Sequence, residues 1–168
     1  AREHPGINYV GIEKYSSVLL RALQKMEKEE LPNLKFLRMD AEDIVKVFGP
    51  GEVDRIYLNF SDPWPAKAQA KRRLTHPDFL RRYARVLAPE GEIHFKTDNK
   101  DLFEWSLFQF PKAGFALSEV TRDLHGQGIQ GIMTDYEEKF YQMGTPINRC
   151  VGTKGPMDPE PEFRPIAG

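Results

Sequence analysis

The sequence predicts an open, doubly wound α/β fold: a mostly parallel sheet with an antiparallel pair of strands at its C-terminal edge. Three observations predict it. Short apolar segments alternate four times with segments of helical period, the pattern of consecutive βα units that a parallel sheet requires. Four strand segments end at an acid, Glu13, Asp40, Asp62 and Asp98, so in a parallel sheet all four line the rim where open α/β sheets bind ligands. After Pro111 the alternation gives way to two strands without a full crossover between them.

Each element follows from local chemistry. Ile7–Glu13 is a short apolar strand, and Leu19, Ala22, Leu23 and Met26 then recur at helical spacing until Pro32 stops the run, which predicts an amphipathic helix over residues 15–29. Leu34–Asp40 is the second strand, Ala41–Phe48 a short helix closed by Gly49-Pro50-Gly51, and Asp54–Ser61 the third strand. Thr75-His76-Pro77-Asp78 has the form of a capping box with an early proline and opens a helix through Phe79, Leu80, Tyr83 and Leu87, ended by Pro89 and Gly91. Glu92–Thr97 is the fourth strand, and the helix from Lys100 through Phe103, Leu107 and Phe110 stops at Pro111. Phe115–Leu124 is a long strand, Gly126–Gly131 a glycine-rich loop, Thr134–Met143 a short helix and Ile147–Thr153 the last strand. Residues 1–154 thus read as one domain, and the proline-rich segment 155–168, without apolar period, as a disordered tail.

Composition narrows the function classes. At 168 residues, 40% apolar and 29% charged, the chain has the make-up of a globular domain with a sizeable core. No apolar run approaches the roughly 18 residues of a membrane span, and no basic-plus-apolar leader precedes the first strand, so a cytoplasmic protein without membrane partners is expected. The lone Cys150 allows no intrachain disulfide, and His4, His76, His94 and His125 show no paired ligand spacing, so no metal is expected. Net charge is −1, yet Lys67, Lys71, Arg72, Arg73, Arg81, Arg82 and Arg85 crowd into one region holding a single acid, Asp78. Such a run is either a solvated helix face or a set of phosphate contacts.

The segment Ile56–Pro65 runs a buried strand into a rigid turn. Pro63 and Pro65 fix two φ angles and remove two backbone donors, so the carboxylate of Asp62 and the ring of Trp64 are held in one presentation. That suits a flat aromatic substrate; the plain alternative is an ordinary turn with Trp64 covering the edge of its own sheet. One acid at a strand end is often a helix cap, but four in series point to a ligand. An acid so placed can accept from ribose hydroxyls, as in dinucleotide sites, and S-adenosylmethionine carries a ribose too. Glu13 fits that position. Asp40, one strand over, lies where an adenine amino group would need an acceptor.

Four signatures then stand in order along the chain: Asn59-Phe60-Ser61-Asp62-Pro63-Trp64-Pro65, Lys71-Arg72-Arg73-Leu74-Thr75, Glu92-Ile93-His94-Phe95-Lys96-Thr97-Asp98-Asn99, and Thr134-Asp135-Tyr136-Glu137 ahead of Phe140. With these, from about Ile7 to Thr153, the chain resembles the bacterial tRNA (guanine-N7-)-methyltransferase family. The resemblance implies the S-adenosylmethionine-dependent, Rossmann-like methyltransferase fold and methylation of a guanosine in the variable loop of tRNA. It implies that Glu13 and Asp40 bind the methyl donor, that Asp62 sits between donor and base as both donor-binding and catalytic group, and that Asp98, Thr134 and Glu137 hold the guanosine. Trp64 is the candidate for stacking on a flipped base, and Lys67, Lys71, Arg72 and Arg73 the candidates for phosphate contacts. Monomer and homodimer both remain open.

Two departures from the family accompany this. The family's first strand, helix and glycine-rich donor loop are not in the chain, which opens at Ala1-Arg2-Glu3-His4-Pro5. The expectation is that residues precede Ala1 in the native protein and that the 168 residues alone make a poor methyltransferase. A catalytically silent tRNA-binding or scaffold protein that keeps the fold is the alternative. After Pro65 the family has a lysine where this chain has Ala66; Lys67, one position over, either substitutes for it or leaves RNA binding weaker.

Overall fold

A computed structural model of the chain describes residues 1–155. It divides into two compact units, residues 1–47 and 48–168; the predicted tail, Gly155 excepted, lies outside the described residues.

The first unit is a single βαβ turn with a short appendix. Strands β1 (Tyr9–Glu13) and β2 (Leu34–Arg38) pair in parallel from Tyr9↔Leu34 to Glu13↔Arg38. Between them runs helix α1 (Ser16–Glu27), on which the half-buried Leu19, Ala22 and Met26 repeat at helical spacing while Val18, Leu20 and Leu23 stay exposed. A 3₁₀ turn (Ala41–Asp43) and helix α2 (Ile44–Val47) follow. Asn33 fastens the entry to β1: its side-chain amide donates to the carbonyls of Ala1, His4 and Ile7 at 3.1, 3.0 and 2.8 Å. Gly11 is required where it stands, because a Cβ there would lie 2.6 Å from the Phe36 ring opposite it. Ile44 is the only buried residue of the unit.

The second unit holds the core. Its strands are β3 (Val53–Asn59), β4 (Leu87–Thr97), β5 (Phe115–Thr121) and β6 (Asn148–Lys154), in the order β3-β4-β6-β5. β3 and β4 are parallel, while β6 is antiparallel to both β4 and β5. The C-terminal pair is thus antiparallel, as expected, but β6 alone is reversed, since it inserts between β4 and β5. Helices α3 (Pro77–Val86) and α4 (Lys100–Lys112) bury Leu80, Tyr83, Phe103 and Phe110 together with Ile93 and Phe95 of β4 and Cys150 of β6. Phe95 lies against Phe103 and Phe110 at ring separations of 6.2 and 6.3 Å, and Phe115 meets Phe110 edge-on at 6.1 Å. The last helix, α5 (Asp135–Gln142), precedes β6.

Several boundaries differ from those the sequence predicts: β5 ends at Thr121, three residues before Leu124, β3 at Asn59, two before Ser61, and two further differences have a clear local cause. β4 begins five residues early, at Leu87 rather than Glu92: Leu87 pairs with Val53, and Pro89, Glu90 at φ +62° and Gly91 form a bulge before Glu92 joins Arg55. The N-cap of α3 is His76, not Thr75. The His76 imidazole Nδ1 accepts from the Asp78 amide at 3.1 Å, whereas the buried Thr75 hydroxyl bonds Ser106 at 2.7 Å.

That cap has a pH dependence. Burial, with repulsion from Lys71, Arg81 and Arg82, outweighs the attraction of Asp78 and lowers the His76 pKa below its ordinary 6.5, which suits an imidazole that must accept at Nδ1. A depressed folded-state value means that the contribution to stability is complete above the unfolded imidazole value and is lost as pH falls through the folded one. His76→Ala is expected to cost about 1 kcal/mol at pH 7. His76→Asn, which caps at any pH, should gain on the wild type as pH falls from 7 to 5; thermal melts that keep a constant difference would contradict this.

Candidate functional site

The carboxyl ends of β3 and β4 carry the site of the second unit. The ladder runs one residue past β3, with the Phe60 amide donating to the Lys96 carbonyl at 2.9 Å. The chain then turns sharply, with Phe60 at φ +55° and Trp64 at φ +44°, a region that residues with side chains hold only when their surroundings over-determine it. Arg73 is part of those surroundings. Its Nε donates to the carbonyls of Pro63 and Trp64, both at 3.1 Å, and its Nη2 to Trp64 at 2.9 Å. The same guanidinium lies 4.6 Å from the Trp105 ring centre, and that of the exposed Arg72 lies 4.8 Å from Trp64. Asp62, on this clamped turn, is exposed, and its carboxylate has no bonding partner among the described residues.

On the next strand Asp98 is likewise exposed and without a side-chain partner. Its neighbours are fixed: Thr97 Oγ1 accepts from the Asn99 amide at 3.1 Å, Asn99 caps α4 through Leu102 at 2.8 Å, and Asn148 of β6 donates to the Thr97 carbonyl at 3.0 Å. Helix α5 joins the same end of the sheet. Phe140 packs on Phe60 with ring centres 5.8 Å apart, and Thr134 caps α5 by accepting from the Glu137 amide at 3.1 Å. Glu137 is 0% exposed. Its Oε1 accepts from Lys96 Nζ at 3.1 Å, and its Oε2 is bonded to His125 Nε2, whose other ring nitrogen accepts from the Gln130 amide at 3.0 Å. One buried carboxylate thus ties β4, the loop after β5 and α5 together.

In the first unit Glu13 is the last residue of β1, and Asp40 stands two residues past the carboxyl end of β2. Oε1 of Glu13 accepts from the amides of Lys14 and Tyr15 at 3.0 and 3.1 Å, and its second oxygen has no partner among the described residues. Asp40 caps the 3₁₀ turn through the Glu42 amide at 2.9 Å and meets Lys14 Nζ at 3.1 Å. A carboxylate offers about four acceptor positions, so Glu13 keeps capacity for the hydroxyl hydrogens of a nucleoside.

Two residues stand differently from their expected roles. Arg73, read as a phosphate contact, is 9% exposed and turns its Nε and Nη2 donors to carbonyls of the turn; Lys67, Lys71 and Arg72 remain on the surface. Glu137, read as a guanosine contact, is fully buried with both oxygens engaged. Lys96 and His125 escaped the sequence reading altogether. Lys96 lay inside a signature whose other residues drew attention, and nothing in the spacing of His125 and Glu137 announces that they meet. Cys150 is no reactive thiol, since burial pushes its pKa up to about 12.

Residues 1–150 match the sequence profile of the protein family described as "Putative methyltransferase". The tRNA (guanine-N(7)-)-methyltransferase of Lachnoclostridium phytofermentans is 58% identical over 153 residues, covering 90% of this chain and 72% of the relative. Among solved structures, 16S rRNA methyltransferase KamB superposes with a TM-score of 0.69 at 17% identity, over 92% of this chain and 80% of that one. Precorrin-6y C5,15-methyltransferase from Geobacter metallireducens gives 0.59 at 12%, over 88% and 67%. At such low identities these structures establish the Rossmann-like methyltransferase fold. The extent of the profile match and the 58% identity establish more: this chain belongs to the tRNA (guanine-N7-)-methyltransferase family.

Proposed function

We propose that the chain carries methyl transfer from S-adenosylmethionine to N7 of a guanosine in the variable loop of tRNA. The observation that carries the reading is the pair of exposed carboxylates, Asp62 and Asp98, without side-chain partners among the described residues and just past the ends of adjacent parallel strands. Carboxylates left open on a rigid rim are acceptors awaiting donors.

The chemistry asks little of a general base. Guanine N7 has an in-plane lone pair and no proton, so the protein must align it with the methyl carbon and accommodate the positive charge that passes to the ring. The donor brings an electrophilic methyl group on a sulfonium. Glu13 accepts from the ribose hydroxyls with its open oxygen, and Asp40 from the adenine amino group. Asp98 accepts from the imino and amino hydrogens of guanine, which orients N7 and raises electron density on the ring. The Thr134 hydroxyl, whose oxygen caps α5, keeps its hydrogen to donate to the base. Asp62 stabilises the charge in flight, and Trp64 stacks on the base with the face that Arg72 leaves free. Buried as it is, Glu137 serves the guanosine by holding α5 in place.

Lys67, Lys71 and Arg72 form the basic surface for the tRNA backbone. Replacing Lys71 and Arg72 together by alanine should weaken tRNA binding at moderate salt and flatten the log-affinity against log-salt slope by roughly one to two units, with donor binding unchanged. An unaltered slope in the folded double variant returns the two residues to plain surface. The reading as a whole is tested by incubating the full-length protein with labelled S-adenosylmethionine and unmodified tRNA. Nucleoside analysis should give 7-methylguanosine; methyl on another atom, or none on RNA, would overturn it.

A further inference from the structure

We infer that Arg73 is a positioning residue for catalysis, a side chain through which the frame of α3 and α4 holds the turn that carries Asp62. The inference rests on the function proposed above and adds a residue whose action is on the turn, not on the RNA. Trp64 sits at φ +44°, and among the described residues no backbone N–H donates to the carbonyls of Pro63 and Trp64, so the shape of the turn is not one the chain would keep unaided. Three hydrogen bonds from one guanidinium, two to Trp64 and one to Pro63, supply what the backbone cannot. The requirement is specific to arginine: a planar fork reaches two carbonyls at once while its flat face rests on an indole, here Trp105 of α4 at 4.6 Å. An ammonium group has neither the planar fork nor the flat face.

The root of Arg73 is as firmly held as its tip. Its amide donates to the Ala70 carbonyl at 3.1 Å and its carbonyl accepts from the His76 amide at 2.9 Å. The next two residues are bolted to the helices: the Leu74 carbonyl accepts from Tyr83 Oη at 3.0 Å, and the Thr75 hydroxyl bonds Ser106 at 2.7 Å. Asp62 therefore inherits its place from two helices by way of one guanidinium. Arg72, one residue earlier and exposed, provides the contrast, because its guanidinium stands at the surface where that of Arg73 is largely buried against the turn.

The test compares Arg73→Lys, Arg73→Ala and Trp105→Leu in the full-length methyltransferase, reading kcat, KM for tRNA, the salt slope of tRNA binding and near-ultraviolet circular dichroism. Displacing a reacting group by about an ångström costs up to about a hundredfold. The expected result is therefore a kcat lowered roughly tenfold by Arg73→Lys and up to about a hundredfold by Arg73→Ala, with Trp105→Leu between wild type and Arg73→Lys. KM and salt slope should stay at wild-type values while the indole signal changes. Should Arg73→Ala fail to fold, the other two variants carry the test. Wild-type kcat in Arg73→Lys with a salt slope lower by about one would make Arg73 a phosphate contact and overturn the inference. Inactive wild-type protein would count against the proposed function instead, and an indole spectrum unmoved by Arg73→Lys would then refute the clamp without recourse to turnover.

Discussion

Asp62→Ala is expected to lower turnover by on the order of a hundredfold or more while leaving the fold and bulk tRNA affinity near wild type, the scale for removing one preorganised electrostatic group. Both halves follow from its surroundings. The side chain is exposed and bonded to nothing among the described residues, so its loss strands no buried partner. The turn that presents it is held by Arg73 and two prolines, none of which depends on the carboxylate. Asp62→Asn should be nearly as poor, because it keeps the shape and gives up the charge. Unfolding curves that overlay the wild type, combined with a lost kcat, would separate this role from a structural one; full activity in either variant would remove Asp62 from the chemistry.

Glu137 should behave in the opposite way. Removing one partner from a buried ion pair leaves the other charge without compensation and costs roughly 3–5 kcal/mol. Glu137→Ala strands two groups at once, Lys96 and His125, with side chains only 15% and 4% exposed. The residual access of Lys96 to water places the expected loss near the lower end, about 3 kcal/mol, or a fall in urea midpoint of roughly 1.5 M at an m-value of about 2 kcal/mol/M. Glu137→Gln, which keeps one acceptor and adds a donor, should lie between. Unfolding of Glu137→Ala within about 0.5 kcal/mol of wild type, the scale of an ordinary surface substitution, would mean that the buried triad does not support the fold.

The contrast shows what could be read in the sequence. Strand after strand led to an acid, and alternation of period placed Glu13, Asp40, Asp62 and Asp98 within three residues of the observed strand ends, because hydrophobic periodicity and proline punctuation are local signals. Which acids stand open and which are consumed is not local. Asp62 and Glu137 look equally polar on paper, yet one is exposed and the other sealed between a lysine of β4 and a histidine after β5, partners 41 and 12 residues away. The same holds for Arg72 and Arg73, adjacent in a basic run and opposite in fate. A residue's direction in the turn decides whether it meets solvent or two carbonyls, and no periodicity encodes that. The insertion of β6 between β4 and β5 was also beyond local reading, since strand order is set by pairing across the whole unit. The His76 cap was missed because Thr75 is the commoner capping residue, and its hydroxyl went instead to a buried serine.

Whether this chain methylates N7 of a tRNA guanosine turns on one atom. A tRNA carrying 7-deazaguanosine at the proposed variable-loop position keeps the imino and amino hydrogens that the proposal assigns to Asp98 but replaces the N7 lone pair with C–H. With the full-length protein, labelled S-adenosylmethionine and matched tRNAs, the guanosine substrate should gain one methyl per molecule, as 7-methylguanosine. The deaza substrate should bind with similar affinity and gain none. Equal methylation of the two would contradict the account.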